Sequence, residues 1–131
     1  MCRTSPVCLG GGNGPGAWIP NTSVALAAFG SWTEAVVARY SNVTDEFEVW
    51  NEPRLEQSNY EPYARLVATA CVAAHKGAAS AHPRVGPPQL FFGVMSGGYA
   101  TYGVAFLNGT LPLLDRMLRD SDSGLELKVC V

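Results

Sequence analysis

The sequence predicts an α/β fold, with parallel strands alternating with helices along one domain of 131 residues. Apolar residues recur at spacings of three and four in three stretches, which is typical of amphipathic helices. Short runs of aromatic and β-branched residues separate these stretches and favour strands. This order gives a parallel sheet, but the pattern alone does not separate a doubly wound sheet from part of a barrel.

The composition indicates a soluble globular domain. The chain is 47% hydrophobic and 15% charged, with a formal net charge of −2. The absence of a Lys/Arg cluster argues against nucleic acid or an anionic membrane as the main partner. No apolar run approaches the roughly 20 residues of a membrane helix, and the first residues lack the layout of a signal peptide.

The first third of the chain predicts a strand, a loop and a helix. Residues 3–9 are a candidate strand, and residues 10–20 form a Gly/Pro-rich loop. The loop matches G-x-G-x-x-A at residues 12–17, but its prolines prevent the glycines from opening a helix, so a dinucleotide site is rejected. Residues 22–40 predict a helix, with Asn42 expected to cap its end. Its apolar face comprises Leu26, Phe29, Trp32, Val36, Val37 and Tyr40.

Residues 45–53 predict the central strand, which a proline ends because proline has no N–H to give a ladder. Side chains alternate along a strand, so Phe47 and Val49 share one face while Glu48 and Trp50 share the other. If the sheet is part of a barrel and the apolar pair faces the surrounding helices, Glu48 and Trp50 point into the barrel. A buried Glu48 would then need a cationic partner.

The second helix is predicted to begin at a capping box in residues 58–61 and to end at a break in residues 77–83. Its apolar face comprises Tyr63, Leu66, Val67, Ala70, Cys71 and Ala74. A short strand follows in residues 84–90 and a loop in residues 91–99.

The third helix is predicted in residues 104–120, with its start delayed or its axis kinked by Gly109 and Pro112. Its apolar positions are Leu107, Leu111, Leu114 and Leu118. Residues 125–131 predict a last strand.

Four cysteines give an even count, at positions 2, 8, 71 and 130. The chain has no C-x-x-C pair and only His75 and His82 as further ligands, so a zinc site is not expected. Cys71 and Cys130 are expected to be buried free thiols, and only Cys2 and Cys8 are placed to pair locally.

Three sequons for N-linked sugar begin at Asn21, Asn42 and Asn108. Their use would imply a secreted or lysosomal protein. The alternative is chance occurrence in a protein that never meets the glycosylation machinery.

The string Phe47-Glu48-Val49-Trp50-Asn51-Glu52-Pro53 resembles the fourth-strand motif of the clan A glycoside hydrolases. Together with the following helix and Arg84-Val85-Gly86-Pro87-Pro88, it is most similar to glycoside hydrolase family thirty-nine, the β-xylosidases and α-iduronidases. Pro87 stands where that family more often has a second glycine.

The resemblance implies a partial (β/α)8 TIM barrel covering about strands three to six, and a retaining O-glycoside hydrolase. It implies that Glu52 is the general acid/base and that Asn51 binds the sugar 2-hydroxyl. A nucleophile is expected beyond Val131, so the 131-residue chain alone is expected to be inactive. The implied partner is a saccharide or glycoside, with no metal or organic cofactor.

Two other functions remain open. The chain could be a catalytically inactive fragment that binds saccharide or assembles with another chain, since open sheet edges favour self-association. It could also be a flavodoxin-like binding domain, for which a ligand at the loop of residues 10–16 would be evidence.

Overall fold

The computed structural model describes residues 19–50, 57–81, 87–91 and 100–121. In chain order these residues form α1 (Ser23–Tyr40), β1 (Glu46–Glu48), a short 3₁₀ turn (Gln57–Asn59), α2 (Tyr60–Ala81), β2 (Gln89–Phe91) and α3 (Ala100–Asp120). The predicted strands at residues 3–9 and 125–131 lie outside the described residues.

The predicted partial TIM barrel is wrong. The described residues are mostly helical, and their two strands of three residues each form a single parallel pair with no barrel pattern. The physical reason is that the long helices bury their apolar faces mainly against one another rather than on a broad sheet. What remains of the predicted alternation is one strand–helix–strand unit, in which α2 connects β1 to β2.

Helix α1 begins where the sequence predicts. The Thr22 hydroxyl accepts a hydrogen bond from the N–H of Ala25 at 3.2 Å, which satisfies one of the free N–H groups of the first turn. At the other end, the N–H of Ser41 donates to the carbonyl of Val37 at 2.9 Å. Ser41 is therefore the C-cap, and the assignment of Asn42 to that role is wrong.

The buried stripe of α1 consists of Phe29, Thr33 and Val37, each four residues after the last. The predicted face was correct for Phe29 and Val37. It was wrong for Trp32 and Tyr40, which are 60% and 46% exposed. The stripe includes the polar residue Thr33. This side chain can be buried because its hydroxyl donates a hydrogen bond to the Phe29 carbonyl at 2.9 Å.

Helix α2 lies between α1 and α3 and supplies about half of the core. Its buried residues are Tyr63, Ala64, Leu66, Val67, Ala70, Cys71, Ala73, Ala74, Gly77 and Ala78. The predicted apolar face is confirmed. Small residues next to it, Ala64, Ala73, Gly77 and Ala78, widen the buried surface of the helix. A helix buried on two sides needs this wider apolar surface.

Gly77 lies inside α2, so the predicted break at this position is wrong. A Cβ atom added to Gly77 would overlap the carbonyl oxygen of Glu34 and would stand 3.1 Å from the backbone nitrogen of Ala38. The glycine therefore permits close approach of α2 to the backbone of α1. This requirement outweighs the cost of about 1 kcal/mol that glycine carries inside a helix.

Helix α3 begins at Ala100, earlier than predicted, and continues through Gly109 and Pro112. Its fully buried residues are Phe106, Thr110, Leu114 and Leu118. The prediction of Leu114 and Leu118 is confirmed, whereas Leu107 and Leu111 are only partly buried.

Aromatic packing sets the face that α3 presents. The Phe106 ring lies 5.2 Å from the Tyr60 ring and 5.4 Å from the Tyr63 ring, measured between centroids. A Cβ at Gly109 would overlap the Tyr60 ring, so this glycine makes room for the aromatic contact.

Cys71 is fully buried and disulfide-bonded, with its partner outside the described residues. The expectation of a free thiol at this position is wrong. The apolar helix face that suggested a free thiol is compatible with either state, because a disulfide is itself an apolar group.

Candidate functional site

The candidate site is the edge of the sheet at which both described strands end. The strands run parallel, with Phe47 opposite Leu90 and Glu48 opposite Phe91. One further ladder bond follows, in which the N–H of Val49 donates to the carbonyl of Phe91 at 3.0 Å. In α/β units, ligands commonly bind at this carboxyl end of the strands.

The two faces of the sheet differ in character. Val49 and Leu90 are buried in the core and Phe47 packs against it, so this face is turned to the helices, as predicted. On the opposite face, Glu48 is exposed and Phe91 is 49% exposed. Because Glu48 is exposed, the prediction that it is a buried carboxylate is wrong.

Trp50 does not share the face of Glu48. Its ring lies edge-on to the ring of Phe29, with centroids 6.1 Å apart, and packs against the core. Strict alternation applies only while the chain is a strand, and β1 ends at Glu48. The prediction that Trp50 lies on the face opposite the helices is therefore wrong.

Phe29, Trp32 and Trp50 form an aromatic group next to this edge. Trp32 stacks on Phe29 with centroids 5.9 Å apart and planes at 29°, and Trp32 is 60% exposed. An exposed indole face is a suitable surface for the apolar face of a sugar ring. Sequence reasoning did not identify Trp32 as a surface residue because it placed this residue on the buried face of α1.

The indole Nε1 of Trp50 is buried and has no hydrogen-bond partner among the residues that the structure describes. A buried polar group without a partner costs about 1–3 kcal/mol. This N–H group is a hydrogen-bond donor, and in the sequence Trp50 directly precedes the predicted site residues Asn51 and Glu52.

Two cavities lie against α1. One of about 80 Å³ lies between α1 and the sheet, which is well below the roughly 300–1,000 Å³ of ligand pockets. The other, of about 430 Å³, lies between α1 and α2. It is lined by small side chains with Glu34 and Lys76, and none of its lining residues is aromatic. Neither is suited to a sugar ring, so the sheet edge remains the candidate.

The predicted catalytic residue Glu52 and the predicted substrate-binding residue Asn51 lie outside the described residues, as does the loop of residues 10–16. In the sequence, Asn51 and Glu52 directly follow Trp50. The structure therefore describes the segment that leads to them, and their assignment stays a prediction.

Among the described residues, no three His, Cys, Asp or Glu side chains are grouped so that they could hold a metal ion. No described helix is both long enough and apolar enough to span a membrane. The chain matches no family model, no curated protein sequence and no solved structure.

Proposed function

We propose that this chain carries the acid/base carboxylate of a retaining O-glycoside hydrolase. The single observation that supports the proposal most is the string from Phe47 to Pro53, which combines an apolar strand with an Asn-Glu-Pro end. The proposal does not require a closed barrel. It requires a carboxylate at the end of a strand and a second carboxylate near it.

The local geometry is consistent with that requirement. Phe47 and Val49 anchor β1 to the helices, and the ladder bond from Val49 to Phe91 extends the pairing to the last residue before Trp50. The chain that leads to Asn51 and Glu52 is thus fixed on the core by packing and by a backbone hydrogen bond. A catalytic group needs such support if it is to be held within a fraction of an ångström of its working position.

The proposed roles follow from the chemistry of retaining hydrolysis. Glu52 would protonate the oxygen of the leaving group while a second carboxylate, about 5–5.5 Å away, attacks the anomeric carbon. Glu52 would then remove a proton from the water that hydrolyses the glycosyl ester. Asn51 would hydrogen-bond the sugar 2-hydroxyl, a contact that strengthens in the transition state.

The test measures hydrolysis of aryl xylosides, glucosides and iduronides by the full polypeptide that the reading frame encodes. Glu52→Ala should lower kcat/KM about 10²–10⁴-fold on substrates with poor leaving groups. Azide should restore turnover of activated substrates and give a glycosyl azide of retained configuration, because azide needs no base. Glu46→Gln is the matched control, since Glu46 is an exposed carboxylate in β1 and its substitution should leave turnover unchanged.

Unchanged kcat/KM in Glu52→Ala, or no effect of azide, would remove Glu52 from the mechanism. A circular dichroism spectrum equal to that of the wild type shows that a loss of turnover is not a loss of fold.

A second candidate function is saccharide binding without turnover, which the exposed Trp32 favours. Stacked on Phe29, its indole is held in a fixed orientation and offers one face to a ligand. If no aryl glycoside is cleaved but titration with xylo-oligosaccharide quenches Trp fluorescence, and Trp32→Ala removes the quenching, binding alone is the function.

A further inference from the structure

The second of the three sequons, Asn42-Val43-Thr44, lies in a surface turn directly after α1. Asn42 is exposed, and Val43 next to it is 73% exposed. An N-linked oligosaccharide is bulky and strongly hydrated, so its acceptor must be on the surface of the folded protein. The position of Asn42 meets this requirement.

The backbone of this turn is fixed without the Asn42 side chain. The N–H groups of Val43 and Thr44 both donate to the carbonyl of Tyr40, at 2.8 and 3.0 Å. The Thr44 hydroxyl accepts from the N–H of Glu46 at 3.1 Å. None of these hydrogen bonds uses the Asn42 amide, so a glycan attached there leaves the turn intact.

The sequon at Asn108 lies within α3. Asn108 is exposed, but Thr110, the hydroxyl residue of this sequon, is 0% exposed and buried against the core. Transfer to Asn108 would therefore have to precede the folding of α3, whereas Asn42 and Val43 stay exposed in the folded chain.

An independent observation concerns the compartment. Cys71 is disulfide-bonded in the core. Disulfides persist in oxidising compartments such as the lumen of the endoplasmic reticulum, whereas cytosolic thiols are kept reduced. N-linked glycosylation takes place in that same lumen, so the disulfide and the exposed sequon point to the same environment.

We propose that Asn42 carries an N-linked oligosaccharide. The Asn42 amide nitrogen forms a bond to the anomeric carbon of a lipid-diphosphate-linked oligosaccharide. The bond from that carbon to the diphosphate breaks, the diphosphate leaves with the electron pair, and the amide proton passes to a base. No oxidation or reduction is involved, and the proposal is independent of glycosidase activity.

The test is site occupancy in the wild-type chain secreted from eukaryotic cells behind a signal peptide. Peptide-N-glycosidase in heavy-oxygen water converts a glycosylated Asn to a labelled Asp, which peptide mass spectrometry locates. Label at Asn42 is the expected result. Its absence at Asn42, including label at Asn108 alone, would overturn the proposal.

Three variants sharpen the test. Asn42→Gln and Thr44→Ala should each remove one glycan mass from the secreted protein, whereas Thr44→Ser should keep it because serine preserves both the sequon and a hydroxyl for the Glu46 N–H. Loss of the glycan in Thr44→Ser as well as Thr44→Ala would contradict the sequon mechanism. Because occupancy is read on the wild type, poor folding of a variant does not affect the result.

Discussion

Trp50 lies edge-on to Phe29, with ring centroids 6.1 Å apart and ring planes at 73°. This contact joins the second residue after β1 to the middle of α1. Edge-to-face pairs of this kind contribute about 0.5–1.5 kcal/mol beyond the burial of their area. The position of the chain that enters the predicted site therefore depends on a helix that precedes it in sequence.

Phe29→Ala tests this dependence. Phe29 is 7% exposed and contacts both tryptophans, so its removal should lower the free energy of unfolding by about 3–5 kcal/mol. Trp32→Ala is the matched aromatic deletion at a 60% exposed position and should cost less than about 1 kcal/mol. Urea denaturation followed by circular dichroism measures both. Equal losses would show that the Phe29 contacts do not anchor the segment.

Gly77→Ala should destabilise the chain although alanine is the better helix former. The added Cβ would overlap the Glu34 carbonyl oxygen, a backbone atom that cannot rotate away. Separating α1 from α2 should cost about 1–3 kcal/mol, which exceeds the gain of about 1 kcal/mol in helix propensity.

Gly30→Ala is the control for helix propensity, because its Cβ would meet only the Thr69 methyl group, at 3.1 Å. Thermal melts of both variants measure the effect. The decrease in melting temperature should be smaller for Gly30→Ala than for Gly77→Ala. A higher melting temperature for Gly77→Ala than for the wild type would contradict the close approach of the two helices.

The disulfide at Cys71 gives a third prediction. Its reduction should lower the free energy of unfolding by about 2–4 kcal/mol, chiefly because the reduced unfolded chain has more freedom. Urea midpoints with and without dithiothreitol measure the difference, and mass spectrometry of an unreduced digest should place Cys71 in a cross-linked peptide. In Cys71→Ala the effect of the reductant should shrink. A free Cys71 that alkylates on unfolding without a reductant would contradict the bond.

The sequence predicted what local chemistry determines. The apolar spacing gave the start of α1 and the buried face of α2. It failed where the deciding partner is distant in sequence. Gly77 reads as a helix break until the backbone of α1 is placed against it.

The barrel prediction failed for a different reason. Alternation of strands and helices predicted a parallel sheet, and the described residues contain one parallel pair of strands, β1 and β2. The closed architecture was added from the resemblance at residues 47–53, and a motif of that length carries no information about how many strands surround it. The same motif supplied Glu52 and Asn51, whose assignment depends on side-chain placement that neither spacing nor the described residues provide.

Thr110 provides the last prediction. Its side chain is 0% exposed and its hydroxyl has no hydrogen-bond partner in the described part of the chain, a burial that costs about 1–3 kcal/mol. Thr110→Val keeps the shape and removes the hydroxyl, so the free energy of unfolding should rise by about 1 kcal/mol. Thr33→Val is the matched control, since the Thr33 hydroxyl donates to the Phe29 carbonyl and its loss should give no gain. Urea denaturation of both variants decides the matter: a Thr110→Val protein less stable than the wild type would mean that this hydroxyl has a partner in solution.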